Sequence, residues 1–273
     1  MPRVSTPERA FCDAASDYLL SFSSRGVTPQ VLNQYLEPRR VSGISDVYWQ
    51  LLWSSQNANM RTAVITGSMD GGMMALADVL FGFEPATVAK HYGDDSEAVL
   101  DDIVERVRPR GQLRRGSRSI WPQFSRSIVS GAKFLEQFPD ANAFYAWADG
   151  FDADGRMPAV LPITISEQVS GLGFALACDF LKELGYSGIG KSDVHIRRIL
   201  VGLGLMSDAA SDCEALEVLV SFAHSAGLSA YHVDKLMWLV GSGSFYKHDE
   251  IGHVPTDRDG FVMDHRHLLG QST

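Results

Sequence analysis

Between Glu167 and Leu205 the chain carries the stretch that most limits what it can fold into. Two apolar-patterned segments meet at Gly171-Leu172-Gly173, and the small residues Ala175 and Ala177 follow, which lets two helices approach closely. This pattern predicts a helical hairpin (167–185) turning on the glycines. Eighteen residues beyond Ala175, Asp193 stands before a strongly helical run from Val194 to Leu203, with His195, Arg197 and Arg198 near its start. Asp is a preferred N-cap, and its oxygen would accept an orphan N–H near Ile196. A carboxylate fixed in that way also points at whatever lies in front of the helix. A Gly-x-Gly turn that opens a helix offers backbone N–H groups and the helix dipole to a phosphate, or to the cation that bridges to one. Taken singly, the two features are also what an ordinary loop and an ordinary helix cap look like.

Together they resemble the helix-hairpin-helix DNA glycosylase superfamily, which includes endonuclease III, MutY and 8-oxoguanine glycosylases. The family's Gly-hydrophobic-Gly-x-x-x-Ala hairpin is matched by Gly171-Leu172-Gly173-Phe174-Ala175-Leu176-Ala177, and its catalytic Asp segment by Ser192-Asp193-Val194-His195-Ile196-Arg197-Arg198. The resemblance is tight over 167–205 and loose over 45–245. It implies an all-α, two-lobed fold with a glycosylase-like core at 46–246, the catalytic Asp and its helix at 191–204, an N-terminal helical extension at 1–45 and a polar tail at 247–273.

Length and charge are compatible with that reading. At 273 residues and 45% hydrophobic content, the chain can bury a sizeable core in one large domain or two lobes. No apolar run is long enough to span a bilayer, and Met1-Pro2-Arg3-Val4-Ser5 has no signal-peptide core behind it, so a cytoplasmic protein with no membrane partner is expected. Three scattered cysteines, Cys12, Cys178 and Cys213, suggest a reducing compartment and cannot supply the four-Cys iron–sulfur loop of many relatives. The net charge of -9 argues against a protein that coats nucleic acid with its whole surface. One segment is locally cationic: Arg106, Arg108, Arg110, Arg114, Arg115, Arg118 and Arg126 follow the acidic run Asp94 to Asp102. Arg114, Arg115 and Arg118 could hold DNA phosphates, or the loop could be salted to the acidic helix before it.

In chain order the pattern is helical almost throughout. Pro7 to Phe22 has helical spacing, and Thr28-Pro29 signals a cap and first turn for a helix to Leu36. Asp46 is placed to cap the next helix, on which Trp49 and Trp53 share a face. The segment Met69 to Phe83 reads as a buried helix with methionine as core filler, followed by helices at 85–91, 96–107 and 121–138. Pro139 to Leu161 reads as turn-rich. The loop Asp152-Ala153-Asp154-Gly155 stops short of a calcium-ligand pattern. Helices are expected at 212–226 and 230–240. The tail histidines His248, His253, His265 and His267 lack metal-site spacing.

The resemblance implies a chemistry. Cutting a glycosidic bond in duplex DNA requires displacing the nucleotide, holding the bent backbone and supporting positive charge on the sugar as the base leaves. The hairpin at Gly171, Leu172, Gly173 and Ala175 would hold a phosphate through N–H groups and a K+ or Na+ ion at the backbone of Gly171 and Gly173. His195 and Arg197 would assist at the DNA, and Asp193 would stabilise an oxocarbenium-like transition state and orient water. Gln56, in Trp53-Ser54-Ser55-Gln56-Asn57-Ala58, would fill the gap left by the displaced nucleotide, or simply close its own helix. Trp49, Trp53 and Trp121 are candidates to stack on the extruded base, or are core. Bifunctional relatives carry a lysine where this chain has Ala175, so a monofunctional enzyme leaving an abasic site is expected, with no further cofactor, acting as a monomer on double-stranded DNA that contains a damaged or modified base. The nearest amines, Lys182 and Lys191, read as a helix's solvent face and a loop. Two alternatives stay open: excision of glucosylated hydroxymethylcytosine from phage DNA as antiviral defence, and a non-catalytic helix-hairpin-helix DNA-binding module.

Overall fold

The computed structural model of the chain describes residues 6–56, 64–152 and 157–270. Among these the architecture is all-α, with thirteen α-helices. The β structure described is one antiparallel pair, β1 (Ser244–Phe245) and β2 (Gly252–His253), with Ser244 opposite His253. The chain divides into two compact units, residues 40–184 and a second assembled from 1–39 with 185–273.

The unit at 40–184 holds α3 (Ile44–Ser55), α4 (Pro85–Tyr92), α5 (Ser96–Asp102), α6 (Ile120–Leu135), α7 (Ala141–Asp152), α8 (Val160–Gln168) and α9 (Phe174–Glu183). Its centre is α6, which packs on α3, α4, α5 and α8. The α6–α3 contact is close because Gly131 has no side chain: a Cβ there would lie 2.8 Å from Leu51 Cδ2. Beside it the buried Tyr48 hydroxyl donates to the Ile128 carbonyl at 2.7 Å, so burial leaves no polar atom of that ring unpaired.

The second unit holds α1 (Pro7–Leu20), α2 (Pro29–Leu36), α10 (Val194–Gly202), α11 (Asp212–Ala226), α12 (Ala230–Ser242) and α13 (Arg258–His265). The central helix is α12, which meets α1, α2, α10, α11 and α13 and is buried along most of its length. Thr28 caps α2 by accepting the Val31 N–H, with Pro29 in the first turn as its sequence implies.

Several expectations are corrected. The segment at 1–45 is not an extension beside a core at 46–246: α1 packs on α11 and α12, and Phe11 meets Phe222 and Phe261 at ring centroids of 5.9 and 5.4 Å. The tail at 247–273 likewise contributes to that core through Val254, Phe261 and Val262. Met69 to Phe83 is a chain of short 3-10 turns, because Gly71, Gly72, Phe81, Gly82 and Phe83 all take positive φ and break the helical ladder. Met69 and Met73 are core as expected, whereas Met74 is 60% exposed. Pro139 to Leu161 contains a full helix, α7; the Asp140 carboxylate caps it by accepting the Ala143 N–H at 2.8 Å. Asp46 is not the N-cap of α3, which is Gly43, but caps from inside the first turn by accepting the Gly43 N–H. The helix expected over 96–107 ends at Asp102 and continues as a π turn to Val107. The loop at 153–155 lies outside the described residues.

Candidate active site

In the unit at 40–184, α8 and α9 form the expected hairpin. Gly171 takes φ +82°, where a side chain would be strained, and Leu172 is buried and donates its N–H to Val169 O at 3.1 Å. Gly173 is the extended N-cap of α9, and its carbonyl accepts from both Leu176 and Ala177 at 2.9 Å. The N–H groups of Gly171, Gly173, Phe174 and Ala175 have no acceptor among the described residues, which leaves three donors at the start of α9 for an anion and a fourth in the turn before it. The carbonyls of Val169, Ser170 and Gly173 are already bonded, whereas those of Gly171 and Leu172 accept from no described group. Of the two carbonyls expected at a cation, that of Gly171 is open and that of Gly173 carries two hydrogen bonds.

The turn is held in place by α6. Ser127 Oγ donates to Ser170 O at 2.7 Å, and the Ser170 N–H donates to Ser130 Oγ at 2.9 Å. A Cβ on Gly171 would lie 2.7 Å from Ser127 Oγ and 3.7 Å from the Gln123 carbonyl, so glycine is required by space as well as by φ. The same stretch of α6 fixes the arginine loop: Gln123 Nε2 donates to Arg118 O and Arg126 to Ser117 O, both at 2.7 Å. A groove of about 770 Å³ opens beside this junction, lined by Arg126, Ser130, Lys133, Gln168 and Ser170 among others. The two readings of the arginine loop divide residue by residue. Arg115 is salted to α5 through Asp101 at 2.7 Å and Glu97 at 3.8 Å, whereas the guanidinium groups of Arg114 and Arg118 are exposed with no partner among the described residues.

In the other unit Asp193 caps α10. One carboxylate oxygen accepts the His195 N–H at 2.9 Å and the Ile196 N–H at 3.1 Å, which fixes the carboxylate's orientation and sets its negative charge on the helix dipole. The two neighbours expected to touch DNA, His195 and Arg197, also engage the protein itself. The His195 ring packs on Trp238 with centroids 6.5 Å apart and fills the space where Gly241 has no side chain; its Nδ1 is buried. Arg197 braces the α10–α11 link, bonding Asp208 O, Ala210 O and the Asp212 carboxylate. A concavity of about 740 Å³ in this unit is lined by Glu8, Glu214 and Glu217, which disfavour a phosphate backbone. The Ser211 N–H holds the Glu214 carboxyl below the usual carboxylate range, so that charge persists.

The remaining candidates divide. Gln56 is buried, 3% exposed, and closes α3 while its Oε1 accepts from Thr66 at 2.8 Å, the second of its two readings. Trp121 is core against Phe124. Trp49 and Trp53 stack on each other, centroids 5.1 Å apart and 16° between planes, and are half-buried. Lys182 is not on a solvent face: it is 4% exposed with its amine 3.6 Å from Asp179, whose other oxygen accepts from Ser54. Sequence reasoning misses the bracing residues Gln123, Ser127 and Ser130. Their spacing along one face of α6, polar positions within an apolar helix, is the signal that could have revealed them.

No family model matches the chain, and no curated protein matches it. Among solved structures it is similar to the Methanocaldococcus jannaschii 8-oxoguanine glycosylase/lyase in complex with a 15mer DNA containing 8-oxoguanine. The identity is 15% and the TM-score 0.47, over 84% of this chain and 89% of that one. No helix among the described residues is long and apolar enough to cross a membrane.

Proposed function

We propose that this chain is a monofunctional DNA glycosylase that hydrolyses the N-glycosidic bond of a damaged or modified base and leaves an abasic site. The observation that carries the reading is Asp193, whose carboxylate is fixed at the N-terminus of α10 by two backbone N–H groups, in a chain that also carries a glycine hairpin with unengaged amide donors. The hairpin amides of Gly173, Phe174 and Ala175 hold a phosphate of the bent strand, and Arg114 and Arg118 neutralise others. A monovalent cation at the Gly171 and Leu172 carbonyls would bridge to that phosphate. Asp193 supports the positive charge that develops on the sugar and orients water. With Ala175 in the first turn of α9, no amine stands at that position to form a Schiff base, so strand cleavage is not catalysed.

Within this reading the base is a damaged one or, as the alternative, glucosylated hydroxymethylcytosine of phage DNA. Release of free base from duplexes carrying oxidised, alkylated, deaminated or glucosylated hydroxymethylated bases tests this for wild type and Asp193→Asn. Strand breaks that appear only after alkali, from wild type alone, are expected and name the base. Equal release by both proteins would remove Asp193 from the chemistry. Silence across the panel with DNA binding intact would leave a binding module, and a borohydride-trapped adduct would overturn the monofunctional assignment.

A further inference from the structure

Asp193 is held from behind as well as from in front. It ends a short link from α9, and that link is fastened to α12 at two points. Tyr231 donates its N–H to Ser187 O at 3.0 Å, and Asp234 Oδ1 accepts the Lys191 N–H at 2.6 Å. The Lys191 carbonyl in turn accepts the Asp193 N–H at 2.8 Å. Between the two fastenings the link lies flat on its support. A Cβ on Gly190 would stand 3.2 Å from Asp234 Cβ and 2.4 Å from Leu219 Cδ2, so the backbone is as close to α12 and α11 as atoms allow. Asp234 is 1% exposed and α12 is the buried centre of its unit, so the anchoring side chain is packed within the protein and withdrawn from solvent.

We propose that Asp234 is a positioning residue: through Lys191 it sets where the Asp193 carboxylate stands. Fixing the N-cap alone leaves the cap free to move with the link. Fixing Lys191 to the helix beneath removes that freedom, and a displacement of about 1 Å at a reacting group can cost on the order of 100-fold in rate. Asp234 lies outside 167–205, where the family resemblance is tight, and nothing in its sequence neighbourhood marks it.

The inference rests on reading Asp193 as the catalytic carboxylate, and the test keeps the two separable without needing the natural base. Two duplexes are compared, one carrying a neutral tetrahydrofuran abasic analogue and one a cationic pyrrolidine analogue that mimics the charged sugar. Wild type is expected to favour the cationic duplex by about 100-fold, the low end for a transition-state mimic. Asp193→Asn brings that ratio close to one with affinity for the neutral duplex unchanged. Asp234→Ala does the same, whereas Asp234→Asn, which keeps an oxygen for the Lys191 N–H, retains the wild-type ratio within about threefold. A wild-type ratio near one, or one that survives Asp193→Asn, overturns the glycosylase reading. A ratio lost in Asp193→Asn but kept in Asp234→Ala overturns the positioning role alone. Loss in Asp234→Asn as great as in Asp234→Ala also overturns it, since charge rather than the hydrogen bond to Lys191 would then matter. Should Asp234→Ala fail to fold, Gly190→Val, whose branched side chain is too large for the space against Leu219 and Asp234, displaces the link with Asp234 intact and is expected to lower the ratio; an unchanged ratio there overturns the proposal.

Discussion

Ala175 decides which of two chemistries the hairpin can support. It sits half-buried in the first turn of α9, two residues beyond the N-cap Gly173. Ala175→Lys would place an amine where a bifunctional enzyme carries one, and on the proposed reading it should convert the protein into one that gives a borohydride-trapped adduct with duplex DNA containing an excised base. No adduct from a folded, base-releasing Ala175→Lys variant would mean that this position does not face the sugar. His232 offers a second test at this scale, on stability. Burial, and then the charge of Arg9, hold its imidazole below the usual histidine range, so the folded protein favours the neutral ring. The unfolded chain therefore binds the proton more readily: this contribution is fully present above about pH 6.5 and is lost as pH falls from there towards the folded value. Urea midpoints measured from about pH 7.5 to pH 5.5 should fall less steeply for His232→Gln than for wild type; parallel curves would assign the acid sensitivity elsewhere.

At the scale of elements, α6 does two jobs with one face. Ser127 and Ser130 hold the hairpin turn, while Gln123 and Arg126 hold the arginine loop by the carbonyls of Arg118 and Ser117, so cradle and cations share a support. Each DNA phosphate neutralised contributes about 0.9 to the slope of log affinity against log salt. Arg118→Ala should therefore reduce that slope by about one phosphate's worth, and Arg115→Ala, already paired with Asp101, should leave it nearly unchanged. Equal slopes for the two variants would show that the loop's ion pairs rearrange on binding. Elements defined by caps and apolar spacing are legible in the sequence: Thr28-Pro29 opening α2, Asp193 opening α10, and α11 at its full extent. Elements governed by backbone sign are not, since Phe81 and Phe83 take positive φ where their side chains suggest helix. In the candidate site, local geometry is legible: Asp193 caps α10 and Gly171 takes the positive φ of the turn. The partners of Gln56, Arg197 and His195, which are Thr66, Ala210 and Trp238, are not legible in the sequence because only the fold brings them together.

At the scale of the whole molecule, the unit that carries Asp193 is built from both ends of the chain, which constrains what can be removed. Residues before 40 supply Phe11, Ala15, Leu19, Val27, Leu32 and Tyr35 to its core, all buried. They also supply polar ties to the C-terminal segment: the Tyr18 hydroxyl accepts the Asp257 N–H at 2.6 Å, the Tyr35 hydroxyl accepts the Lys247 N–H at 2.8 Å, and Lys247 Nζ donates to Gln34 O at 2.7 Å. Large-to-small changes at such core sites cost about 2–5 kcal/mol each, against a total stability of about 5–15 kcal/mol for a domain. Deletion of residues 1–39 should therefore unfold α10 to α13 rather than trim an accessory. Phe11→Ala, at a site sandwiched between Phe222 and Phe261, should destabilise this unit by about 3–5 kcal/mol. Hydrogen exchange reads both variants by location: amides of α11 and α12 should lose protection while those of α6, whose core is drawn from residues 40–184, keep theirs. Protection of α11 and α12 that survives the deletion would mean that 185–273 folds alone, and would return the N-terminal helices to the status of an extension.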